Sequence, residues 1–296
     1  MRKRADGMDA ALEGKYRVLT SHLARLGRVL VAFSGGVDSS FVLRAAVEGC
    51  GEGVLAVTAV SPAVPAREVT EAKALAAALG ARHHLLRTAE MADPNYIANP
   101  ATRCYFCKRE LYMRLAALAA TEGHPTVVDG VNRDDLADWR PGRLAAAERG
   151  VLSPLVEANF TKAEVRAASR ALGLPTWDKP AMPCLASRFP YGTPITVGGL
   201  RRVERAEEVL REHGFRELRV RHYGEAARVE VGPEELPRLL EPDRQAAVTA
   251  ALRGLGYRTV TVDPEGFRSG KLNAGLTGTE GGAAARPAPG AGVRKG

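Results

Sequence analysis

Three stretches of this 296-residue chain hold side chains at spacings that suit chemistry. The first is Ser34-Gly35-Gly36-Val37-Asp38-Ser39-Ser40. Its two glycines permit a tight turn and let backbone N–H groups approach an anion closely. Ser39 and Ser40 fall where a helix would begin, and there the free N–H groups and the helix dipole favour phosphate. Asp38 is a hard oxygen ligand for Mg2+ on the same phosphates. The stretch contains neither GK[ST] nor GxGxxG, so it is no Walker A loop and no dinucleotide fingerprint. The plain alternative is a Gly-Gly turn with no ligand. The second stretch is Asp129-Gly130-Val131-Asn132-Arg133-Asp134-Asp135. In it Asn132 can read a nucleotide edge, and Asp134 and Asp135 can serve a metal or substrate. A solvated acidic turn is the alternative. The third feature is the cysteines: Cys104 and Cys107 form a CxxC, and Cys184 stands in a proline-flanked loop. Cys50, between Gly49 and Gly51, reads as a small buried hydrophobe.

A CxxC can be a redox dithiol, half of a zinc site or part of an iron–sulfur site. No second CxxC and no CxxC-plus-His spacing completes a zinc set, and no thioredoxin-type strand precedes the pair. Three thiolates from Cys104, Cys107 and Cys184 would hold a cubane cluster with one iron open; sequence alone leaves open whether they meet. Further on, Arg219 and Arg221 alternate on a strand pattern and so share a face, which suits a phosphate. The alternative is a solvent-facing edge pair. Arg188, four residues after Cys184, either stabilises substrate charge or serves the structure. Glu207, on a helix, is a weaker site candidate, since such a residue is usually just solvated.

These groups need elements to position them. Residues 28–33 (RVLVAF) read as a buried strand leading into the Gly-rich turn and a helix over 39–47. Strands follow at 54–60, 83–86 and 126–129, separated by helices at 68–79 and 108–120, and a helix over 10–26 precedes them all. Strands joined by single helices mean βαβ units and a doubly wound parallel sheet covered on both faces, an α/β fold. The proline-rich run 175–194 excludes regular helix or central strand. After it a helix at 197–213, paired strands at 217–222 and 227–231, a helix at 244–255 and a strand at 258–262 describe a small α+β domain. The expected division is therefore 1–180 for the nucleotide domain, 181–196 for the connector with Cys184, 197–273 for a substrate-binding domain and 274–296 for a disordered tail.

Composition bounds the rest. The apolar and charged shares, 45% and 26%, are those of a globular protein with a real core. No apolar run approaches the roughly 18 residues of a membrane span, and no leader pattern opens the chain, so a cytoplasmic protein is expected. The net charge of +8 invites a nucleic-acid partner. However, the positives interleave with Glu, as over 201–211, and form no basic block, which favours a small phosphorylated ligand instead.

The SGGxDS loop between strand and helix resembles the PP-loop of the N-type ATP pyrophosphatases, and the Asp129–Asp135 stretch resembles a second segment of that group. The resemblance implies ATP and Mg2+, cleavage of ATP to AMP and pyrophosphate, nucleotide contacts from Ser34 to Ser40, Asn132 and Asp134, and adenine laid near Thr58. More specific is the combination of Arg103-Cys104-Tyr105-Phe106-Cys107-Lys108, the Cys184-Leu185-Ala186-Ser187-Arg188-Phe189-Pro190-Tyr191-Gly192-Thr193 run and Arg219-Val220-Arg221-His222-Tyr223-Gly224. Together these resemble the LarE family, from about residue 14 to 273. That resemblance implies an ATP-dependent sulfur transferase that adenylates the carboxylates of pyridinium-3,5-biscarboxylic acid mononucleotide and makes thiocarboxylates for the nickel-pincer nucleotide. It implies sulfur from a [4Fe-4S] cluster on Cys104, Cys107 and Cys184, or sacrificially from Cys184. It also implies catalytic roles for Cys184, Asp38 and Arg188, and a substrate-phosphate site at Arg219, Arg221 and Glu207. A homo-oligomer with a small nucleotide substrate, and no nucleic-acid or membrane partner, is expected. Two other readings are a PP-loop tRNA thiolation enzyme, which would bind bulk tRNA, and an ammonia-dependent ligase of the NAD or GMP synthetase kind, which would not need Cys184.

Overall fold

The structure is a computed structural model that describes residues 7–137 and 141–268. The tail expected at 274–296 lies outside the described residues. Helix α1 (Ala10–Leu26) opens at Asp9, whose carboxylate accepts the Leu12 N–H at 2.8 Å, and closes at Gly27. Strand β1 (Val29–Ala32) follows, then α2 (Val37–Cys50), β2 (Val54–Val60), α3 (Ala66–Ala78) and β3 (Arg82–Arg87). A single-turn helix α4 (Pro94–Ile97), the long α5 (Arg103–Thr121) and β4 (Thr126–Val128) come next.

The four strands form one parallel sheet in the order β3-β2-β1-β4, with Val29 level with both Val54 and Thr126. Side chains alternate across it. Val29, Val31, Val54 and Ala56 pack with α1 and α2 on one face. Leu30, Leu55, Val57 and Val127 pack on the other with Tyr112, Leu115 and Ala119 of α5. Both faces are therefore covered, as a continuous apolar strand such as VLVA demands. Strand β3 (RHHLLR) lies at the edge and is largely exposed, so its charged ends are tolerated there. Because β2 and β4 flank β1 on opposite sides, the chain leaves the sheet in opposite directions beyond β1 and β4, which opens a crevice at their carboxyl ends.

The short helices α6 (Gly142–Ala147) and α7 (Pro154–Glu157) and the capped helix α8 (Lys162–Ala171) complete the cover of this sheet. Next, α9 (Val197–Glu212), β5 (Leu218–Tyr223), β6 (Ala226–Val231), α10 (Leu236–Leu239), α11 (Pro242–Gly254) and β7 (Thr259–Val262) build a second sheet, β5-β6-β7. Its β5–β6 pair is antiparallel and β7 runs parallel to β6. This sheet has its own apolar core from Val209, Leu210, Phe215, Val220, Val229 and Leu252. The two sheets and their order match the α/β expectation with a smaller mixed unit after it.

Several elements depart from the sequence expectation, the short helices α4, α6, α7 and α10 among them. The CxxC was expected ahead of a helix beginning at Lys108; instead α5 begins at Arg103, so Cys104 and Cys107 lie in its first turns. Arg, Cys, Tyr and Phe carry only mixed helix propensity, and long-range contacts of Arg103 extend the helix. Helix α8 was not anticipated at all.

Candidate functional site

The loop after β1 runs over the crevice. Gly35 adopts φ +73°, and Gly36 caps α2 in extended conformation with no side-chain hydrogen bond of its own. The N–H groups of the first turn therefore face outward without intrahelical partners. Ser34 Oγ lies 3.0 Å from Ser39 Oγ and accepts the Gly36 N–H at 3.3 Å, which fixes the turn. Val37 and Ser40 are buried beneath it. Gly130, after β4, passes so close that a Cβ there would sit 2.8 Å from the Ser39 nitrogen.

Asp38 meets two partners in this crevice. Asn132 Nδ2 donates to its Oδ1 at 3.2 Å, and Lys162 Nζ bonds its Oδ2. Asp38 and Asn132 were singled out together from sequence, and they meet. Lys162 was missed, although the Thr161…Glu164 capping box that starts α8 is a visible signal for the helix that carries it. Asp134 accepts the Lys162 backbone N–H at 2.9 Å and Asp135 accepts the Asn132 N–H at 3.1 Å, so both acids brace the loop. The buried Thr58 hydroxyl donates to the Phe33 carbonyl at 2.7 Å and lies 2.8 Å from His83 Nε2, joining β2 to the exit of β1.

The segment carrying Cys184 is tied to this crevice. Lys179 Nζ donates to the Gly35 carbonyl at 3.2 Å and pairs with Glu68 and Glu71. The Leu185 N–H donates to Ala63, just beyond β2, at 2.8 Å. From the other side Arg103, 3% exposed, donates to Asn99 Oδ1 at 2.5 Å and to the Ala186 carbonyl at 2.9 Å, with its guanidinium 5.5 Å from the centre of the Tyr191 ring. Asn99, held at φ +55°, passes the link on to the Pro190 and Thr193 carbonyls. This brings Cys184 to the CxxC. Cys107 and Cys184 are half-buried against one apolar cluster, and Cys104 is more open to solvent. Burial first, then the Cys184 thiol and the Glu90 carboxylate, push the Cys107 thiol up to about 12. Burial opposes charge on Arg103, but the Cys184 and Cys104 thiols hold its guanidinium above the usual range. Cys50 lies apart, its thiol 3.1 Å from the Leu23 carbonyl and packed on the main core.

Among the described residues no group of three His, Cys, Asp or Glu side chains closes round a single metal ion. A cubane cluster makes a different demand, since it spreads its thiolates over separate iron corners. Three neighbouring thiols beside a buried cation are a donor set of that chemistry.

The three arginines expected at substrate all turn toward backbone. Arg188, fully buried, forms a two-pronged pair with Glu207 at 2.7 and 2.8 Å and donates to the Pro183 and Cys184 carbonyls. Arg221 forms a like pair with Glu230 at 3.0 and 2.9 Å and donates to the Ser187 carbonyl. Arg219 donates to the Ala181 carbonyl at 2.7 Å and lies over the Phe267 ring. Arg219 and Arg221 do share a face, but it is a buried one. Glu207 is buried rather than solvated, and it also accepts the Val220 N–H at 3.2 Å. It lies on the apolar face of α9 with Leu200, Val203 and Leu210, a spacing that shows the burial in advance.

Burial works to raise the Glu207 carboxyl, and Arg188, with Arg219 and Arg211 behind it, overcomes that and holds it below the usual range. A depressed carboxylate stabilises the fold above its unfolded value, about 4.3, and loses that contribution as pH falls through the folded one. Glu207→Ala leaves Arg188 buried and unpaired, so a loss of about 3–5 kcal/mol is expected in denaturant unfolding at neutral pH, shrinking on acidification below about pH 4. An equal loss at acid and neutral pH would show that the ion pair is not its origin.

No family model matches the chain. A pyridinium-3,5-bisthiocarboxylic acid mononucleotide synthase from Lactiplantibacillus plantarum is 39% identical to it over 269 residues, 90% of this chain and 97% of that protein. An uncharacterized protein from Synechocystis sp. is 48% identical over 266 residues, 90% of this chain and 99% of its own length. An uncharacterized protein from Methanocaldococcus jannaschii is 26% identical over 245 residues, 82% and 91% of the two chains.

Proposed function

This chain belongs to the LarE family, that of the pyridinium-3,5-bisthiocarboxylic acid mononucleotide synthases, and from that premise we propose that it uses ATP to convert the carboxylates of pyridinium-3,5-biscarboxylic acid mononucleotide to thiocarboxylates. The observation that carries the reading is the tether between the two chemistries. The segment with Cys184 is bound at Lys179 to the Gly35 carbonyl of the anion loop and at Ala186 to Arg103 of the CxxC helix.

The outward N–H groups of the α2 first turn bind the pyrophosphate end of ATP. Asp38 would hold Mg2+, which supplies charge to neutralise the phosphates, and Lys162 brings a further positive charge to the Asp38 carboxylate. A substrate carboxylate oxygen attacks the α-phosphorus, the α–β phosphoanhydride bond breaks, and pyrophosphate leaves. The acyl adenylate so formed has AMP as its leaving group for sulfur. Cys104, Cys107 and Cys184 would hold a [4Fe-4S] cluster, which supplies an open iron able to carry sulfide and so spares the protein's own sulfur. The chain divides for this work as 1–180, 181–196 and 197–273. Many positive side chains pair with Glu and Asp, as Arg205 does with Glu208 and Glu212, which supports a small substrate over nucleic acid. No described helix is long and apolar enough to cross a membrane.

The test is turnover of anaerobically purified protein with ATP, Mg2+, sulfide and the biscarboxylate mononucleotide. AMP, pyrophosphate and thiocarboxylate are expected, with iron in the protein and its mass unchanged. Loss of the elements of hydrogen sulfide from the protein would establish sacrificial use of Cys184 instead, and sulfur appearing on bulk tRNA would overturn the substrate.

Arg219 is set apart from its neighbours. Arg188 and Arg221 each have a carboxylate, whereas among the described residues none lies within ion-pair reach of Arg219. Burial, and the nearby Arg188 and Arg221 charges against the pull of Glu207, bring it down to about 10, still cationic at neutral pH. It is the better candidate of the expected pair for the substrate phosphate. Arg219→Ala is expected to raise KM about 10–100-fold with little change in kcat, the worth of a charge-assisted hydrogen bond. Equal KM values for wild type and variant would assign Arg219 to holding the connector alone.

A further inference from the structure

Where the chain leaves β3 and turns toward α5, a cleft of about 290 Å3 lies between that segment, α5 and the residues that follow α6. Pockets for small ligands begin at about 300 Å3, so this one suits a molecule of few heavy atoms. Most charges in its wall are already paired. Arg109 bonds Asp93 at 3.1 Å, while Glu110 accepts the Ala89 N–H at 3.1 Å and pairs with Arg114. Two charges are left, and they have opposite signs. Glu90 lines the cleft and is 2% exposed, yet among the described residues no hydrogen bond or ion pair reaches its carboxylate, one oxygen of which is wholly buried. Arg149 is exposed at the same cleft, and among the described residues no carboxylate lies within ion-pair reach of it. Met113, 44% exposed, adds an apolar wall. Buried polar groups are nearly always hydrogen-bonded and buried charges paired, so Glu90 calls for a cationic N–H donor.

A metal ion does not answer that need, since among the described residues no three such carboxylates close round one ion. A simple amine would answer Glu90 and leave Arg149 without a partner, whereas a zwitterion answers both. We propose that this cleft binds a free α-amino acid, with its ammonium on Glu90, its carboxylate on Arg149 and an apolar side chain on Met113. The two groups of the ligand then complete the two charges that the wall leaves unpaired, and each forms a charge-assisted hydrogen bond. Amino-acid binding here goes beyond sulfur transfer and does not depend on it.

The experiment titrates L-leucine into the purified full chain by calorimetry, beside two analogues that each lack one of its charges, 3-methylbutylamine and 4-methylpentanoate. Wild type is expected to bind L-leucine saturably, and each analogue at least about tenfold more weakly. Glu90→Gln keeps the shape and removes the charge, and Arg149→Gln alters an exposed residue. Each is expected to weaken L-leucine at least about tenfold. Arg149→Gln should leave the affinity for 3-methylbutylamine as it is, and Glu90→Gln that for 4-methylpentanoate, since each analogue lacks the group that the lost charge would hold. Wild-type affinity for L-leucine in both variants, or an amine that binds as tightly as L-leucine, overturns the site. So does an absence of saturable binding by wild type, which leaves Glu90 to a water molecule.

Discussion

Asp38→Ala is expected to cut pyrophosphate and AMP release by about 1,000-fold or more, the scale on which removal of one preorganised charge-stabilising group acts. Asp38 lies in the first turn of α2, and Asn132 and Lys162 both bond its carboxylate. Its removal therefore takes away the Mg2+ ligand and also frees the Lys162 ammonium and the Asn132 amide. The sheet should survive, since Asp38 contributes nothing to the apolar clusters on either face. A melting curve like that of wild type, alongside lost pyrophosphate release, is the expected pair of results. Asp38→Asn keeps the shape and the Lys162 contact but not the charge, and it should be nearly as inactive. Retained adenylation in either variant would remove the loop from the pyrophosphate site.

Cys184→Ala is expected to lose thiocarboxylate formation by a comparable factor while pyrophosphate release continues, because activation of the carboxylate needs only the loop, Mg2+ and the substrate. The same split is expected for Cys104→Ala and Cys107→Ala, each with loss of bound iron. These two variants separate the sources of sulfur. A sacrificial Cys184 would let Cys104→Ala complete one turnover, with dehydroalanine left at position 184. Intact-protein mass spectrometry after a single turnover, beside iron content, decides the matter.

Much of the fold is legible in the chain because its signals are local. VLVA before two glycines marks β1 and its loop, Asp9 and Gly27 bracket α1, and the VLAVTAV run reads directly as β2. The anion loop and its partner after β4 are legible for the same reason. What escaped depends on distance along the chain. The start of α5 is set by Arg103 reaching Ala186, 83 residues on. The burial of Tyr96 depends on the Cys184 segment, whose Leu185, Ala186 and Phe189 share its apolar cluster. Alternation correctly put Arg219 and Arg221 on one face, but whether that face meets water or the connector is decided by packing. Lys162 and Glu207 lie between these cases, each carrying a periodic or capping signal that a closer reading finds.

Side chains from outside and within the connector grip seven of its carbonyl oxygens: Ala181 by Arg219, Pro183 and Cys184 by Arg188, Ala186 by Arg103, Ser187 by Arg221, and Pro190 and Thr193 by Asn99. A carbonyl is the same atom group whatever side chain the residue bears. The grip is thus blind to the identity of the residue at position 184, and placement and reactivity are inherited separately. A lineage can exchange the cysteine for another nucleophile, or for none, and keep the strap in register over the nucleotide crevice, so new chemistry at this position is open to evolution one substitution at a time.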